Sequence, residues 1–184
     1  MSEEEPERQL KQGWQGRFFE DFELGDIYKH PYGRTVTETD DVWLTNISMN
    51  LNPMHFNEPY AANTEFGERL VNSAVTFAIV AGMSVIDVSQ NSTAMLGLDE
   101  FRLHNPVYHG DTLFAESEVV HKRESDSREH VGIITTELRG FNQNDEMVLS
   151  CERTNFMLKR EHAEPSAAKP PGWIEGIGTQ PEDL

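Results

Sequence analysis

The residues best suited to acid–base chemistry stand in a short polar segment between two predicted helices. This segment, residues 50 to 57, reads Asn-Leu-Asn-Pro-Met-His-Phe-Asn. Its histidine, His55, is a candidate general acid or base because an imidazole exchanges protons near neutral pH. Pro53 ends the preceding helix, and the loop after it can direct His55 into a pocket. The simpler interpretation is a loop histidine that is held by a hydrogen bond and has no chemical role.

The second place suited to chemistry is the start of a long apolar helix, predicted from about Asn72 to Val88. The first N–H groups of a helix lack partners within the helix, and together with the helix dipole they stabilise a developing negative charge. Ser73 and Ala74 occupy this position. Asn72 also suits an N-cap, and capping alone would explain it. Gln90, at the other end of the helix, is a candidate for a polar contact with a substrate.

Two kinds of periodicity predict the elements that must hold these residues. Apolar residues cover nearly every side of the long helix, so other structure has to enclose it. After this helix the period becomes two, which predicts four strands at Thr93–Leu103, Thr112–Lys122, His130–Phe141 and Val148–Lys159. A strongly curved antiparallel sheet wrapped around one central helix satisfies this order. The predicted fold class is therefore α+β, with a single hot-dog fold.

The part of the chain before the long helix is predicted to hold a strand and two short helices. Thr37 and Asp40 have the spacing of a capping box. The helix that begins there is expected to bury Val42, Trp43 and Ile47. A second short helix is expected over residues 58 to 63.

Length and composition favour one domain. A chain of 184 residues can build a sizeable apolar core without cross-links. The predicted boundaries are a loose acidic N-terminal arm over residues 1–15, the hot-dog domain over residues 16–160 and a Pro-rich C-terminal tail over residues 161–184. The acidic start is unlike a signal peptide, and polar residues interrupt the longest apolar run. We therefore expect a cytoplasmic protein.

The charge of the chain limits its partners. Thirty-two acidic residues against fifteen basic ones give a formal net charge of −17. Such a surface repels nucleic-acid phosphates and anionic lipids, so we expect neither nucleic acid nor a membrane as a partner. The preferred interpretation is a halophilic protein, whose self-repulsion is screened by a high-salt cytoplasm. An ordinary acidic protein is the alternative. The single cysteine, Cys151, cannot form an internal disulfide, and no Cys/His spacing resembles a zinc site.

Three segments resemble the MaoC-like dehydratases and (R)-specific enoyl-CoA hydratases, which are hot-dog proteins. Residues 50 to 57 are similar to the family's hydratase motif, Asp-x-Asn-Pro-x-His. Phe66-Gly67 and the helix start at Asn72-Ser73 fall where the family has its oxyanion-binding helix. Residues 106 to 111, Pro-Val-Tyr-His-Gly-Asp, resemble its Pro-Val-x-x-Gly-Asp turn. The resemblance covers about residues 18 to 160, and residues 33 to 90 most resemble the mesaconyl-CoA hydratase (β-methylmalyl-CoA dehydratase) branch.

This resemblance implies the reversible hydration of an α,β-unsaturated acyl-CoA thioester, without a metal or a redox cofactor. It implies that His55 is the acid–base residue, that the Ser73 N–H binds the enolate oxygen, and that Asn52 holds the loop or orients a water or His55. With Asn72, Ala74 and Gln90, Asn52 completes the set of expected substrate contacts. The family's pockets lie between paired subunits, so the resemblance also implies a homodimer or a larger assembly of dimers.

The sequence departs from the motif at its first position, where Asn50 replaces the family's aspartate. An amide has no exchangeable proton at neutral pH, so Asn50 cannot act as a general base. Its expected role is to orient the attacking water, which leaves His55 to move the proton alone. The carboxylates nearest in sequence that could substitute are Asp40, Asp41, Glu58 and Glu65.

Two other functions stay open at this point. One is a thioesterase on the same fold, in which an activated water attacks the thioester carbonyl. The other is a non-catalytic acyl-CoA-binding subunit, which the replacement of the motif's aspartate by Asn50 makes conceivable.

The other charged and imidazole side chains have simpler expected roles. Exposed positions are expected for the remaining histidines, His30, His104, His109, His121, His130 and His162. Four basic residues could bind the phosphates of CoA, although ordinary surface positions explain them more simply: Arg102, Lys122, Arg123 and Arg139.

Overall fold

The computed structural model describes residues 13 to 163. In chain order the elements are a 3-10 helix (Phe19–Asp21), β1 (Ile27–Lys29), β2 (Arg34–Thr35), α1 (Glu38–Ile47), a 3-10 turn (Pro53–His55), α2 (Glu58–Ala61), α3 (Ser73–Val88), β3 (Ser92–Leu103), β4 (Thr112–Glu124), β5 (Val131–Phe141), β6 (Met147–Leu158) and a last 3-10 turn (Arg160–His162). Most of the predicted arm and tail lies outside the described residues. Of the arm, Trp14 is described, and its indole N–H donates to the Ile86 carbonyl at 3.0 Å.

The sheet is antiparallel and has the order β1-β4-β5-β6-β3, with β2 paired to β4. The β4–β5 and β5–β6 hairpins each have one register shift, with Leu138 opposite Cys151, for example, whereas the β3–β6 pair has three shifts. The concave face carries alternate residues of each strand, as the pleat requires. The hot-dog fold and the α+β class predicted from the periodicity are confirmed.

The core lies between this concave face and α3. Val75, Ile79 and Val80 of the helix pack with residues of β4, β5 and β6, namely Leu113, Leu138, Val148, Leu149 and Cys151. Full burial of one such aliphatic side chain contributes about 1.5–3 kcal/mol. Gly140 allows the helix to come this close, because a Cβ at that position would lie 2.7 Å from a methyl carbon of Val80. This packing fixes the direction of α3 across the sheet.

In the single chain, α3 is not enclosed on all sides. Val85 and Ile86 are 44% and 41% exposed. Next to this helix in sequence, β3 is a terminal strand of the sheet and pairs only with β6 within residues 13–163. Several large apolar side chains of β3 are also exposed, among them Met95, Leu96 and Phe101. The prediction of a fully enclosed helix is wrong for the isolated chain, and an apolar surface at an unpaired strand edge is typical of an interface.

Helix α1 begins as predicted but buries the opposite residues. The capping box is present, with Thr37 as the N-cap residue and Asp40 at the third helical position. Val42, Trp43 and Ile47 were expected in the core, and all three are exposed. That expectation is wrong because α1 meets the start of α3 through polar groups, which are stable in the interior only when they are hydrogen-bonded to each other.

A layer of polar side chains crosses the interior near the end of α3. His30, expected at the surface, is buried, with Nδ1 2.9 Å from Asp87 Oδ2 and Nε2 2.9 Å from Ser117 Oγ. The expectation failed because these partners are distant in sequence. Arg153 is buried in the same layer and donates from Nη2 to Ser84 Oγ. Within residues 13–163, no helix has the length and apolar character needed to cross a membrane.

Candidate active site

His55 is placed by the 3-10 turn Pro53–His55. Asn52 caps this turn, because its Oδ1 accepts a hydrogen bond of 3.0 Å from the Met54 N–H. The half-buried imidazole lies with Nδ1 2.9 Å from the carbonyl oxygen of Leu70. A carbonyl oxygen only accepts hydrogen bonds, so Nδ1 must carry the proton and donate. In the neutral ring Nε2 is then unprotonated, which is the state that a general base needs.

Asn50 organises the same loop from its other side. Its Oδ1 accepts a hydrogen bond of 3.1 Å from the Asn52 N–H, which closes an Asx turn. The preceding residue, Met49, has a φ of 53°, so the chain reverses direction between α1 and the turn. Among residues 13–163, no acceptor is bonded to Asn50 Nδ2. The amide thus has a donor that can face a water, and the water-orienting role stays a prediction.

The start of α3 leaves one N–H without a partner. Asn72 caps the helix through Oδ1, which accepts from the Ala74 N–H at 3.0 Å. The N–H groups of Val75 and Thr76 both donate to the Asn72 carbonyl. Within the described part of the chain, the Ser73 N–H alone in this first turn has no acceptor. Asn72 and Ala74, predicted as substrate contacts, are therefore joined to each other in the cap, and Ser73 is the available donor.

The loop that carries His55 is fastened to the segment that leads into α3. Besides the bond from the imidazole to the Leu70 carbonyl, the Leu70 N–H donates to the Met54 carbonyl at 3.3 Å. Leu70 precedes Ser73 by three residues, which span at most about 11 Å even when extended. The structure thus brings His55, Asn50, Asn52 and Ser73 to one end of α3. Gln90 lies beyond the other end of this 16-residue helix, about 24 Å away along its axis.

One of the four candidate carboxylates also reaches this end of α3. Asp41 is 1% exposed, and its Oδ1 accepts from the Asn72 N–H at 2.8 Å and from the Thr45 hydroxyl at 3.3 Å. Asp40 is engaged in the capping box with Thr37, whereas Glu58 and Glu65 are exposed. Asp41 is therefore the carboxylate that the fold builds into the site.

A second histidine, which the sequence did not predict as a site residue, completes this arrangement. His109 lies in the turn between β3 and β4, and its Nε2 is 2.9 Å from Asp41 Oδ2. Only 20% of its side chain is exposed. The expectation of an ordinary surface position is wrong because Asp41, 68 residues away, covers the ring. No local pattern in the sequence indicates such a distant contact.

Beside His109, Tyr108 pairs with Leu70 in an isolated β-bridge. Burial raises the pKa of the Tyr108 phenol, and the nearby carboxylates Glu68 and Asp111 raise it further. The phenol therefore stays protonated at neutral pH and acts as a hydrogen-bond donor or acceptor. Among residues 13–163, no three His, Cys, Asp or Glu side chains are grouped closely enough to hold a metal ion.

The four basic residues considered for CoA binding all have protein partners. Arg139 is the most heavily paired, with Glu116, Glu118 and Glu137. Arg102 pairs with Glu100, Arg123 with Asp126, and Lys122 donates to the Phe22 carbonyl. Lys122 and Arg123 also line a surface hollow of about 740 Å³. This hollow lies at the far end of β4 from Thr112, about 40 Å along the strand, so it does not adjoin His55 of the same chain.

The curved sheet around a single helix, with an imidazole fastened beside the helix start, defines a hot-dog protein of the MaoC-like type. The sequence profile of the family described as mesaconyl-CoA hydratase matches residues 7–171, and the chain belongs to this family. Both the family and the branch suggested by the motifs are thus confirmed.

Individual relatives agree with this assignment. The chain is 35% identical over 153 residues to a mesaconyl-CoA hydratase of Cereibacter sphaeroides, covering 83% of this chain and 44% of the relative. It is 32% identical to a mesaconyl-CoA hydratase of Haloarcula marismortui, covering 91% and 45%. A crystal structure of a putative MaoC domain protein dehydratase from Chloroflexus aurantiacus superposes with a TM-score of 0.78 at 33% identity, covering 88% and 45%. The chain therefore spans about half the length of the curated relatives it matches.

Proposed function

We propose that this chain catalyses the reversible addition of water across the carbon–carbon double bond of an α,β-unsaturated acyl-CoA thioester. The observation that carries the proposal is the placement of His55. Its Nδ1 donates to the Leu70 carbonyl, and the segment that holds it leads to Ser73. Within residues 13–163, neither His55 Nε2 nor the Ser73 N–H has a hydrogen-bond partner. A base for water and a donor for an enolate oxygen are two of the three groups that this reaction requires, and the third delivers a proton to the α-carbon.

The chemistry follows from these two groups. His55 Nε2 removes a proton from water, and the water oxygen attacks the β-carbon. The π electrons shift to the thioester, where the enolate oxygen accepts a hydrogen bond from the Ser73 N–H at the positive end of α3. The enolate then collapses, and a proton is delivered to the α-carbon; in the simplest form it comes from the His55 imidazolium. Acid–base catalysis by one group contributes about 10²–10⁴ in rate, and one oxyanion donor about 10²–10³.

The acyl group is the finer part of the proposal. The family profile and the relatives from Cereibacter sphaeroides and Haloarcula marismortui carry the name mesaconyl-CoA hydratase. We take mesaconyl-CoA as the first substrate to test, because family membership favours it over a simple enoyl-CoA. The reaction as written moves only protons, so the proposal includes no metal and no redox cofactor, and treatment with EDTA should leave the rate unchanged.

A second copy of the chain is also part of the proposal. The exposed edge of β3 and the exposed residues Val85 and Ile86 of α3 are the candidate interface. The matched relatives are about twice as long as this chain, which leaves room in them for a second domain of this size. In sedimentation experiments, wild-type protein should be a dimer or a larger assembly. Met95→Glu on β3 should shift it toward monomers, whereas Leu24→Glu, which also changes an exposed apolar side chain, should not.

A panel of CoA thioesters tests the activity. Mesaconyl-CoA, crotonyl-CoA and the corresponding hydroxyacyl-CoA compounds are incubated with the protein and followed by mass spectrometry and a thiol reagent. The proposal predicts gain or loss of one water with no release of free CoA. Release of free CoA would indicate a thioesterase instead. Binding of these compounds without any conversion would indicate a non-catalytic subunit.

A further inference from the structure

The segment that leads into α3 has an imidazole on each side. His55 is bonded to Leu70 from one side, while the turn that contains His109 lies along the other, where Tyr108 pairs with Leu70 and the Val71 N–H donates to the Val107 carbonyl. Asp41 connects His109 to the helix start, since the same carboxylate accepts from His109 Nε2 and from the Asn72 N–H. The carboxylate of Asp41 therefore links the imidazole of His109 to the N–H of Asn72, the residue before Ser73.

The hydrogen bonds fix complementary tautomers in the two neutral rings. An ionised carboxylate only accepts, so His109 Nε2 carries the proton, and Nδ1 has no partner among the described residues. In His55 the free atom is Nε2. The arrangement of His109, with a buried carboxylate behind one ring nitrogen, is the one that orients a catalytic histidine in Asp–His pairs. Asp41 is 1% exposed, so its contact with His109 Nε2 is shielded from water.

We propose that His109, oriented by Asp41, is a second proton-transfer residue and that it delivers the proton to the α-carbon. This rests on the proposed hydratase function. The α-carbon is bonded to the thioester carbon whose oxygen the Ser73 N–H binds, and the β-carbon is one bond further away. The imidazole linked to the helix start thus serves the α-carbon, while His55 serves the water at the β-carbon. In this step His109 is an imidazolium, and its Nδ1–H proton passes to the α-carbon of the enolate, which leaves the neutral ring with its proton on Nε2 facing Asp41. His55 holds the proton taken from water until solvent removes it, and solvent returns a proton to His109 Nδ1.

This assignment also accounts for the amide at position 50. The family motif has a carboxylate there, and Asn50 removes one proton-transfer group from the site. The Asp41–His109 pair supplies another group within the same end of α3. The charged and ionisable groups around His109 are Asp41 and Glu38 of α1, Arg69, which forms an ion pair with Glu38, and Tyr108 and Asp111 in its own turn.

The test uses a substitution that keeps the hydrogen bond and removes the proton exchange. In His109→Gln the amide nitrogen replaces Nε2 and can still donate to Asp41, but nothing replaces Nδ1. The expected result is a fall in kcat of about 10²–10⁴ with mesaconyl-CoA, or with whichever panel member wild type converts best, at little change in melting temperature. Asp41→Asn is the second variant. Its amide would donate to Nε2, which could then carry no proton, so the imidazolium that delivers the proton could not form and kcat should fall although the side chain keeps its shape.

The pH profile separates proton transfer from positioning. With one neutral and one protonated imidazole required, kcat/KM of the wild-type protein should be bell-shaped. In His109→Gln the acidic limb should remain, because His55 must still be neutral, and the alkaline limb should disappear. A His109→Gln protein with wild-type kcat and both limbs overturns the assignment, and so does a large loss in His109→Ala that Gln fully restores. If wild type converts no member of the panel, the hydratase proposal itself fails, and this assignment fails with it.

Discussion

His55 donates from Nδ1 to the main-chain oxygen of Leu70, across 2.9 Å. This bond joins the loop between α1 and α2 to the three residues that precede Ser73, so it sets both the tautomer of the imidazole and its position beside the helix start. Because the acceptor is a neutral carbonyl, the bond directs the base without adding a charge. The proton-accepting atom and the oxyanion donor are thereby held by one short piece of backbone.

Asn50→Asp should raise kcat. The new carboxylate can accept from the Asn52 N–H as the amide does now, so the Asx turn is kept. It adds a proton-transfer group to the loop of His55, which is expected to raise kcat by up to about 10². Asn50→Ser, which can also hold the turn but exchanges no proton, is the control in the same steady-state assay. If Asn50→Asp lowers kcat, the amide nitrogen of Asn50 is a necessary donor to water or substrate.

Asn72→Ala should destabilise the protein through the cap of α3. The side chain of Asn72 accepts from the Ala74 N–H and donates to the Thr45 hydroxyl. Loss of an N-cap side chain costs about 0.5–2 kcal/mol. Urea unfolding at neutral pH should show this decrease in the free energy of unfolding, and Asn72→Ser, which retains a capping oxygen, should recover most of it. Equal stabilities of the Ala and Ser variants would contradict the cap.

The sequence predicted those parts of the fold that depend on local patterns. The long period-two runs predicted β3 to β6 within two residues of their bounds, and the capping box predicted the first turn of α1. The prediction of which side of α1 faces inward was wrong. The contacts of Asp41 with Asn72 and His109 determine that side, and both partners are remote in sequence. The position of His30 was missed for the same reason.

The same division holds for the site. His55 and Ser73 were predictable because the motif and the helix start are local features that resemble a known family. Two features of the site were not predicted. Asn72 and Ala74 bond to each other in the cap of α3, and His109 faces a buried carboxylate on another element. A sequence pattern carries no record of such bonds. The predicted helix already placed Gln90 at its other end, and the observed bounds of α3 agree with that separation from His55 and Ser73.

Stability should decrease as the pH falls below neutral, because of His30. Burial lowers the pKa of His30 below its usual value near 6.5, although the hydrogen bond with Asp87 opposes this shift. Burial is the larger effect, since the His30 side chain is 0% exposed. The unfolded chain therefore binds more protons than the native state below about pH 6.5, and the free energy of unfolding falls with the pH until His30 itself is protonated in the native state.

Protonation of Asp87 lowers the free energy of unfolding further at lower pH. Burial would raise the pKa of Asp87, but hydrogen bonds from His30 and Arg17 outweigh it and lower this pKa. The stability that ionised Asp87 contributes is present at pH values above the pKa of an ordinary aspartate, about 3.9. It is lost as the pH falls below that value and through the lower pKa of Asp87 in the native state. Urea unfolding between pH 7.5 and 5 isolates the effect of His30. His30→Asn should flatten this pH dependence, whereas His121→Asn at an exposed position should not; equal slopes in all three proteins would refute the explanation.

Salt should stabilise the protein if its charge reflects a halophilic origin, as we propose. A net charge of −17 opposes the compact state through self-repulsion. The screening length shrinks from about 10 Å at 0.1 M to about 3 Å at 1 M salt, so the melting temperature should rise over this range. Potassium chloride and choline chloride should act alike, because screening depends on ionic strength. A melting temperature that ignores salt would favour an ordinary acidic protein.

The decisive measurement compares wild type with His55→Asn in a mass-resolved hydration assay of mesaconyl-CoA and crotonyl-CoA. Asparagine can keep the donation to Leu70, because its amide nitrogen replaces Nδ1, but it has no equivalent of Nε2. We expect a product heavier by one water with wild type, and a rate lower by about 10²–10⁴ with the variant at an unchanged melting temperature. An equal rate of hydration in both proteins would show that the imidazole of His55 is not the proton acceptor.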